Sequence, residues 1–182
     1  RIDEAVLALA GGAGSAVVTV TANGVTIQDL AVTQSAPSAN HGITGSALTS
    51  IDLDDITVDG VGLSGIYLTA SSGITMIDVT ATDNGLDPSA DPAFGSGIQL
   101  HNVSAVSLTN TTATGNFDSG LLVTAGTGQD STGISINGGT FDRGTPASAR
   151  PDGTNGINFY AAGGNISDID IEGIVSASGH TF

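Results

Sequence analysis

A repeat narrows the fold of this chain more than any other feature. The stretch "SGIYLTASSGITMIDVTATDNG" at residues 64–85 returns in nearly the same pattern as "SGIQLHNVSAVSLTNTTATGN" at 96–116. Each unit is marked by a glycine followed by a large aliphatic residue: Gly42-Ile43, Gly65-Ile66, Gly97-Ile98, Gly120-Leu121 and Gly156-Ile157. The markers recur at intervals of 23, 32, 23 and 36 residues, so two units are bare and two carry insertions. An aliphatic-x-aliphatic triplet follows in each unit: Val25-Thr26-Ile27, Ile51-Asp52-Leu53, Ile74-Thr75-Met76, Val106-Ser107-Leu108, Ile134-Ser135-Ile136 and Ile169-Asp170-Ile171. Two residues beyond each triplet stands Asp29, Asp55, Asp78, Asn110, Gly138 or Gly173. These residue types reach positive φ at the least cost, so every unit is expected to bend there. A third short alternation closes the unit, as in Leu30-x-Val32, Ile56-x-Val58 and Val79-x-Ala81.

Alternation with a period of two, carried by β-branched residues, specifies strands, and three strands in about 22 residues leave no room for a helix. One unit has no second layer against which to bury its apolar side, but identical neighbours can cover each other. The expected fold is therefore all-β: a right-handed parallel β-helix, one solenoid with three strands per coil. Each strand pairs with its equivalent one coil above and below at ~4.8 Å. Ile43, Ile66, Ile98, Leu121 and Ile157 then form an inward ladder, and six coils stack to roughly 29 Å. The reading is one domain over residues 1–182. Residues 1–16 are either a capping helix, with Ile2, Ala5, Val6 and Leu9 on one face, or a first strand through "VLALA". Residues 17–182 make about six coils. Because the chain stops at "GHTF" with no amphipathic cap, a further C-terminal part or a partner subunit is expected to cover the last strand edges.

Charge restricts the partners. Three Lys plus Arg stand against 18 Asp plus Glu, a formal net charge of −15. A nucleic-acid backbone demands a basic face, so nucleic acid is not an expected partner. No apolar run is long enough to cross a bilayer, and with no cysteine there is neither disulfide nor thiolate chemistry.

The two quoted repeats resemble the parallel β-helix proteins of the pectin-lyase-like superfamily, over about residues 17–182. The resemblance implies a secreted or cell-surface protein directed at polysaccharide, with the polymer lying along one outer sheet beside long loops. It also implies, among enzymes, a polysaccharide lyase, epimerase or glycoside hydrolase. The nearest flavour is the alginate C5-epimerase type, whose "DNG" corners match Asp83-Asn84-Gly85. That family's catalytic Tyr-Gly-Phe-Asp-Pro-His motif would fall at 66–71, where this chain reads Ile66-Tyr67-Leu68-Thr69-Ala70-Ser71, without the Asp and the His.

Independently of that likeness, the insertions at 35–41, 86–96 and 143–155 all precede the glycine marker and would form one rim beside the first strand. The outward positions of that strand are Thr44, Tyr67, Gln99, Leu122 and Asn158, then Ser46, Thr69, His101, Thr124 and Tyr160. Aromatic rings stack on pyranose faces and amides bond hydroxyls, so Tyr67, Gln99, Asn158 and Tyr160 are candidate glycan contacts. Arg143 and Arg150, on the longest insertion, could hold a uronate carboxylate, which would make the ligand an acidic glycan. His101 is the candidate general acid or base. Asp87 and Asp91 are candidate calcium ligands; no other cofactor is indicated. Two rival readings are a non-catalytic structural segment of an adhesin, phage spike or surface layer, and ice binding through the column Thr57, Thr80, Thr112 and Thr140.

Overall fold

The computed structural model describes residues 5–9, 16–34, 40–87, 95–142 and 155–173. Every named strand ladder is parallel, and the strands follow the repeat coil by coil. Strand β1 (Ala5–Leu9) pairs with the end of β3, so this segment is a strand and not a capping helix. The coils then run β2 (Ala16–Val20) and β3 (Val25–Gln34); β4 (His41–Ser46) and β5 (Thr49–Asp59); β6 (Ile66–Thr69), β7 (Ser72–Ile77) and β8 (Thr80–Thr82). They continue as β9 (Ile98–His101), β10 (Ser104–Thr109) and β11 (Thr112–Thr114); β12 (Leu121–Gly126), β13 (Ser131–Asn137) and β14 (Thr140–Phe141); and finally β15 (Ile157–Ala162) and β16 (Ile166–Glu172).

The first strands of the coils form a six-stranded front sheet in the order β15-β12-β9-β6-β4-β2. Second and third strands share a ten-stranded sheet that folds round the corner. In β5 both are one continuous strand: its first half pairs with β7 and its last three residues with β8. The bend between them falls at Asp55, and the expected corner holds in every coil: φ is 52° at Asp29, 51° at Asp55, 53° at Asp78, 51° at Asn110, 70° at Gly138 and 78° at Gly173.

Equivalent residues superpose. Ile43 pairs with Ile66, Ile66 with Ile98, Ile98 with Leu121 and Leu121 with Ile157. The second strands stack Ile51 on Ile74 and Leu53 on Met76, and these side chains are buried. On the third wall Val58 sits over Ala81, Ala81 over Ala113 and Ala113 over Phe141, a run in which a large ring follows two small side chains. The dependence of each coil on its neighbour is visible at the last described one. Ile169 and Ile171 are 40% and 47% exposed, whereas Ile134 and Ile136, which occupy the same ladder positions one coil earlier, are 1% and 0% exposed.

The marker glycines are explained by close approach rather than by backbone freedom. A Cβ on Gly65 would stand 2.7 Å from the Gly97 carbonyl oxygen, and one on Gly97 would stand 2.9 Å from that of Gly120. Real Cβ atoms do not tolerate such contacts with backbone, so the column Gly42, Gly65, Gly97 and Gly120 lets successive coils pack at full density. Beside it runs a buried amide ladder. The Asn116 side-chain oxygen accepts from the Asn84 backbone N–H (3.0 Å) and from Asn84 Nδ2 (2.9 Å), while Asn116 Nδ2 donates to the Ala81 carbonyl (2.9 Å). Asn84 in turn accepts from the Val61 N–H at 3.2 Å. Buried backbone groups at the turn thereby find partners that the strand ladders do not supply.

Candidate functional site

The front sheet turns two columns of side chains outward, because alternate residues of a strand point to opposite faces. One column reads Thr19, Thr44, Tyr67, Gln99, Leu122 and Asn158; the other reads Ser46, Thr69, His101, Thr124 and Tyr160. The structure thus brings Tyr67, Gln99, His101, Asn158 and Tyr160 onto one surface. Tyr67 and Tyr160 lie three strands apart, roughly 14 Å at the spacing of a parallel sheet.

The side chains differ in how they present themselves. Tyr160 is 59% exposed, and Asn158 beside it is half-buried. Gln99 is buried, its side-chain oxygen accepting from the Ser64 hydroxyl at 2.8 Å, so it lies in the surface instead of rising from it. The His101 Nδ1 and the Thr124 hydroxyl are 2.6 Å apart, which fixes the imidazole along the column. Among the described residues of the two columns there is no carboxylate to orient or charge that ring. Ser46 and Thr69 extend the hydroxyl run, with the Thr69 hydroxyl donating to Ser46 Oγ at 2.9 Å.

A second histidine belongs to this surface. His41 directly precedes the Gly42-Ile43 marker, which assigns it by sequence to the first insertion; it is instead the first residue of β4. Its ring stacks on Tyr67, with centroids 4.8 Å apart and planes inclined by 25°. Burial pushes its pKa down to about 4, against a partly compensating hydrogen bond with the Ser64 backbone, so the ring is uncharged at neutral pH. Burial also raises the Tyr67 phenol above its ordinary value. The available signal was positional: His41 stands one residue before a marker glycine, where the next coils carry Ser64, Ser96 and Ser119. With Thr19, Thr44, Gly45, Ser46 and Thr69, the pair lines a shallow depression of about 330 Å³ at one end of the strip.

Three of the candidates, Arg143, Arg150 and Asp91, lie outside the described residues, as does most of the expected loop rim. Asp87 is half-buried, its N–H donating to the Gly62 carbonyl at 2.9 Å. Among the described residues no group of three or more His, Asp or Glu side chains is arranged to hold a metal ion. No described helix is long and apolar enough to cross a membrane. The threonine column of the third strands is real, with Thr57, Thr80, Thr112 and Thr140 in register. Its neighbour is interrupted by Asp59, which accepts from the Thr82 hydroxyl at 2.7 Å.

A family described as "Right handed beta helix region" matches residues 10–179. No curated protein matches the sequence. Solved structures of similar fold include a double mutant of the periplasmic alginate epimerase AlgG, with a TM-score of 0.65 at 9% identity over 91% of this chain and 38% of that one. The enzymatically active domain of bacteriophage CBA120 tailspike protein 2 gives 0.55 at 15% identity, over 81% of this chain and 24% of that one. The A-module of a mannuronan C-5 epimerase from Azotobacter vinelandii gives 0.50 at 16%, over 94% of this chain and 59% of that one. The chain spans less than two thirds of the length of each, and at these identities the likeness is one of fold.

Proposed function

This chain belongs to the right-handed β-helix family, and on that premise we propose that it binds a polysaccharide along the front sheet between Tyr67 and Tyr160. The observation that carries the reading is the shared surface itself: two tyrosines at the ends of a flat strip whose intervening residues offer amide, imidazole and hydroxyl groups. A flat parallel sheet repeating every ~4.8 Å suits an extended polymer better than a compact ligand. Its rings offer apolar faces to sugars and its polar tips meet hydroxyls. The neighbours of similar fold whose names mention alginate and mannuronan support a glycan as the polymer. Where the glycan carries acidic units, Arg143 and Arg150 are the cations that would meet them, and a secreted or cell-surface protein would meet such polymers.

The same surface supports binding more directly than turnover, because His101 is positioned by Thr124 and by no acid of its column. The test is affinity electrophoresis through gels cast with a panel of polysaccharides. Tyr67→Ala and Tyr160→Ala together should abolish retardation while the circular dichroism spectrum stays unchanged; equal retardation of the variant refutes the strip. Incubation with the retained polymer should leave the absorbance of unsaturated product flat. A rising trace that His101→Ala abolishes would make the strip catalytic.

A further inference from the structure

Resting on the polysaccharide reading, we infer that the depression around His41 and Tyr67 is a subsite for an uncharged pyranose, so the sugar bound there carries hydroxyls and no carboxylate. Three observations converge. The stacked rings, 4.8 Å apart and inclined by 25°, give a preformed aromatic wall whose geometry needs no rearrangement to meet a sugar face. Around it stand Thr19, Thr44, Ser46 and Thr69, four hydroxyls that both donate and accept, as sugar hydroxyls do. The cavity of about 330 Å³ lies within the range of small-ligand sites.

Charge decides between sugar classes. A uronate needs a cation or a concentration of fixed donors to replace the water it loses. Among the described residues the lining holds neither Lys nor Arg; the three arginines of the chain, Arg1, Arg143 and Arg150, lie outside them. Among the described lining residues, the one group able to become cationic is His41, which burial keeps neutral. A formal charge of −15 on the whole chain adds long-range repulsion against any polyanion. A neutral hexose ring meets none of these penalties.

The experiment compares the full chain in gels containing neutral hexose polymers with gels containing polyuronates, at low and high salt. Retardation is expected on a neutral polymer and should be insensitive to salt. Tyr67→Ala should weaken it about fivefold to tenfold, while Tyr67→Phe, which keeps the ring, should stay within about twofold. Ser46→Trp, placed on an exposed position of the lining, should block the depression without touching the core, and it serves even if Tyr67→Ala proves unstable. Retention on polyuronates alone, weakening with salt, would overturn the inference and leave the polysaccharide reading standing. So would neutral-polymer binding that Ser46→Trp leaves unchanged. Retention on neither class removes the polysaccharide reading itself.

Discussion

His41 shows how one residue's chemistry follows from its place in the stack. The same imidazole in an open loop would titrate in the ordinary range; on β4, against Tyr67, burial lowers it from 6.5 to about 4. The unfolded chain therefore takes up this proton near pH 6.5, whereas the folded chain resists it until about pH 4. Stability from this site is complete above pH 6.5 and is lost as pH falls toward 4, by up to ~3 kcal/mol. Comparing urea unfolding of the wild type and His41→Gln across this window isolates the effect, since the carboxylates titrate alike in both. The wild type should lose stability relative to the variant only below pH 6.5, and a pH-independent difference would contradict the burial. His41 was not legible as a candidate residue, because only the fold makes it the first residue of a strand and stacks it on an aromatic ring. Tyr67, Gln99, His101, Asn158 and Tyr160 were legible as one surface, since strand alternation alone fixes which residues share a face. How far each rises from it was not: a serine of the preceding coil draws Gln99 into the sheet.

At the scale of the strand and its corner, the repeat displays one bend and conceals another. The displayed bend follows each triplet at Asp29, Asp55, Asp78, Asn110, Gly138 and Gly173, all residues suited to positive φ. The concealed one immediately precedes each triplet, at Gly24, Ser50, Gly73, Ala105, Gly133 and Asp168, where φ lies between 51° and 65°. These residues stand out of the ladder register: Ser104 pairs with Thr132 and Val106 with Ile134, while Ala105 and Gly133 are skipped. Nothing in the letters Ser and Ala announces such a bend, because neither residue prefers it. The neighbouring coil imposes the conformation by holding the strands on either side. Alanine in this region carries a cost of ~1–2 kcal/mol that glycine avoids. Ala105→Gly (φ 51°), and Ala70→Gly at the separate corner that follows β6 (φ 48°), should each stabilise the protein by ~0.5–1 kcal/mol, after the greater freedom of glycine in the unfolded chain is subtracted. The urea midpoint should rise at constant m-value, and a fall at both sites would show that these bends are not strained.

For the molecule as a whole, stacking that aligns apolar ladders also aligns charges. Asp29, Asp55 and Asp78 occupy one corner in successive coils and all three are exposed, which sets like charges at near-coil spacing. With a net charge of −15, the folded solenoid works against its own field. Raising NaCl from 0.1 to 1 M shortens the screening length from ~10 Å to ~3 Å, so the thermal midpoint should climb with salt, equally in NaCl and KCl. A midpoint that falls or stays level would mean that the acidic columns contribute no net strain. The greater exposure of Ile169 and Ile171 than of Ile134 and Ile136 belongs to the same scale, because each coil is buried by its neighbours.

Sequence alone determined the coil, its three strands, the main corner and the face on which Tyr67 and Tyr160 stand. All of these follow from periodicity, a property read along the chain one unit at a time. Tertiary structure decided the rest: the stack of His41 on Tyr67, the sinking of Gln99, the second bend, and the glycine column, whose missing side chains make way for the next coil's carbonyls. Each of these depends on what lies one coil above or below, more than twenty residues away in sequence and a single strand spacing away in space.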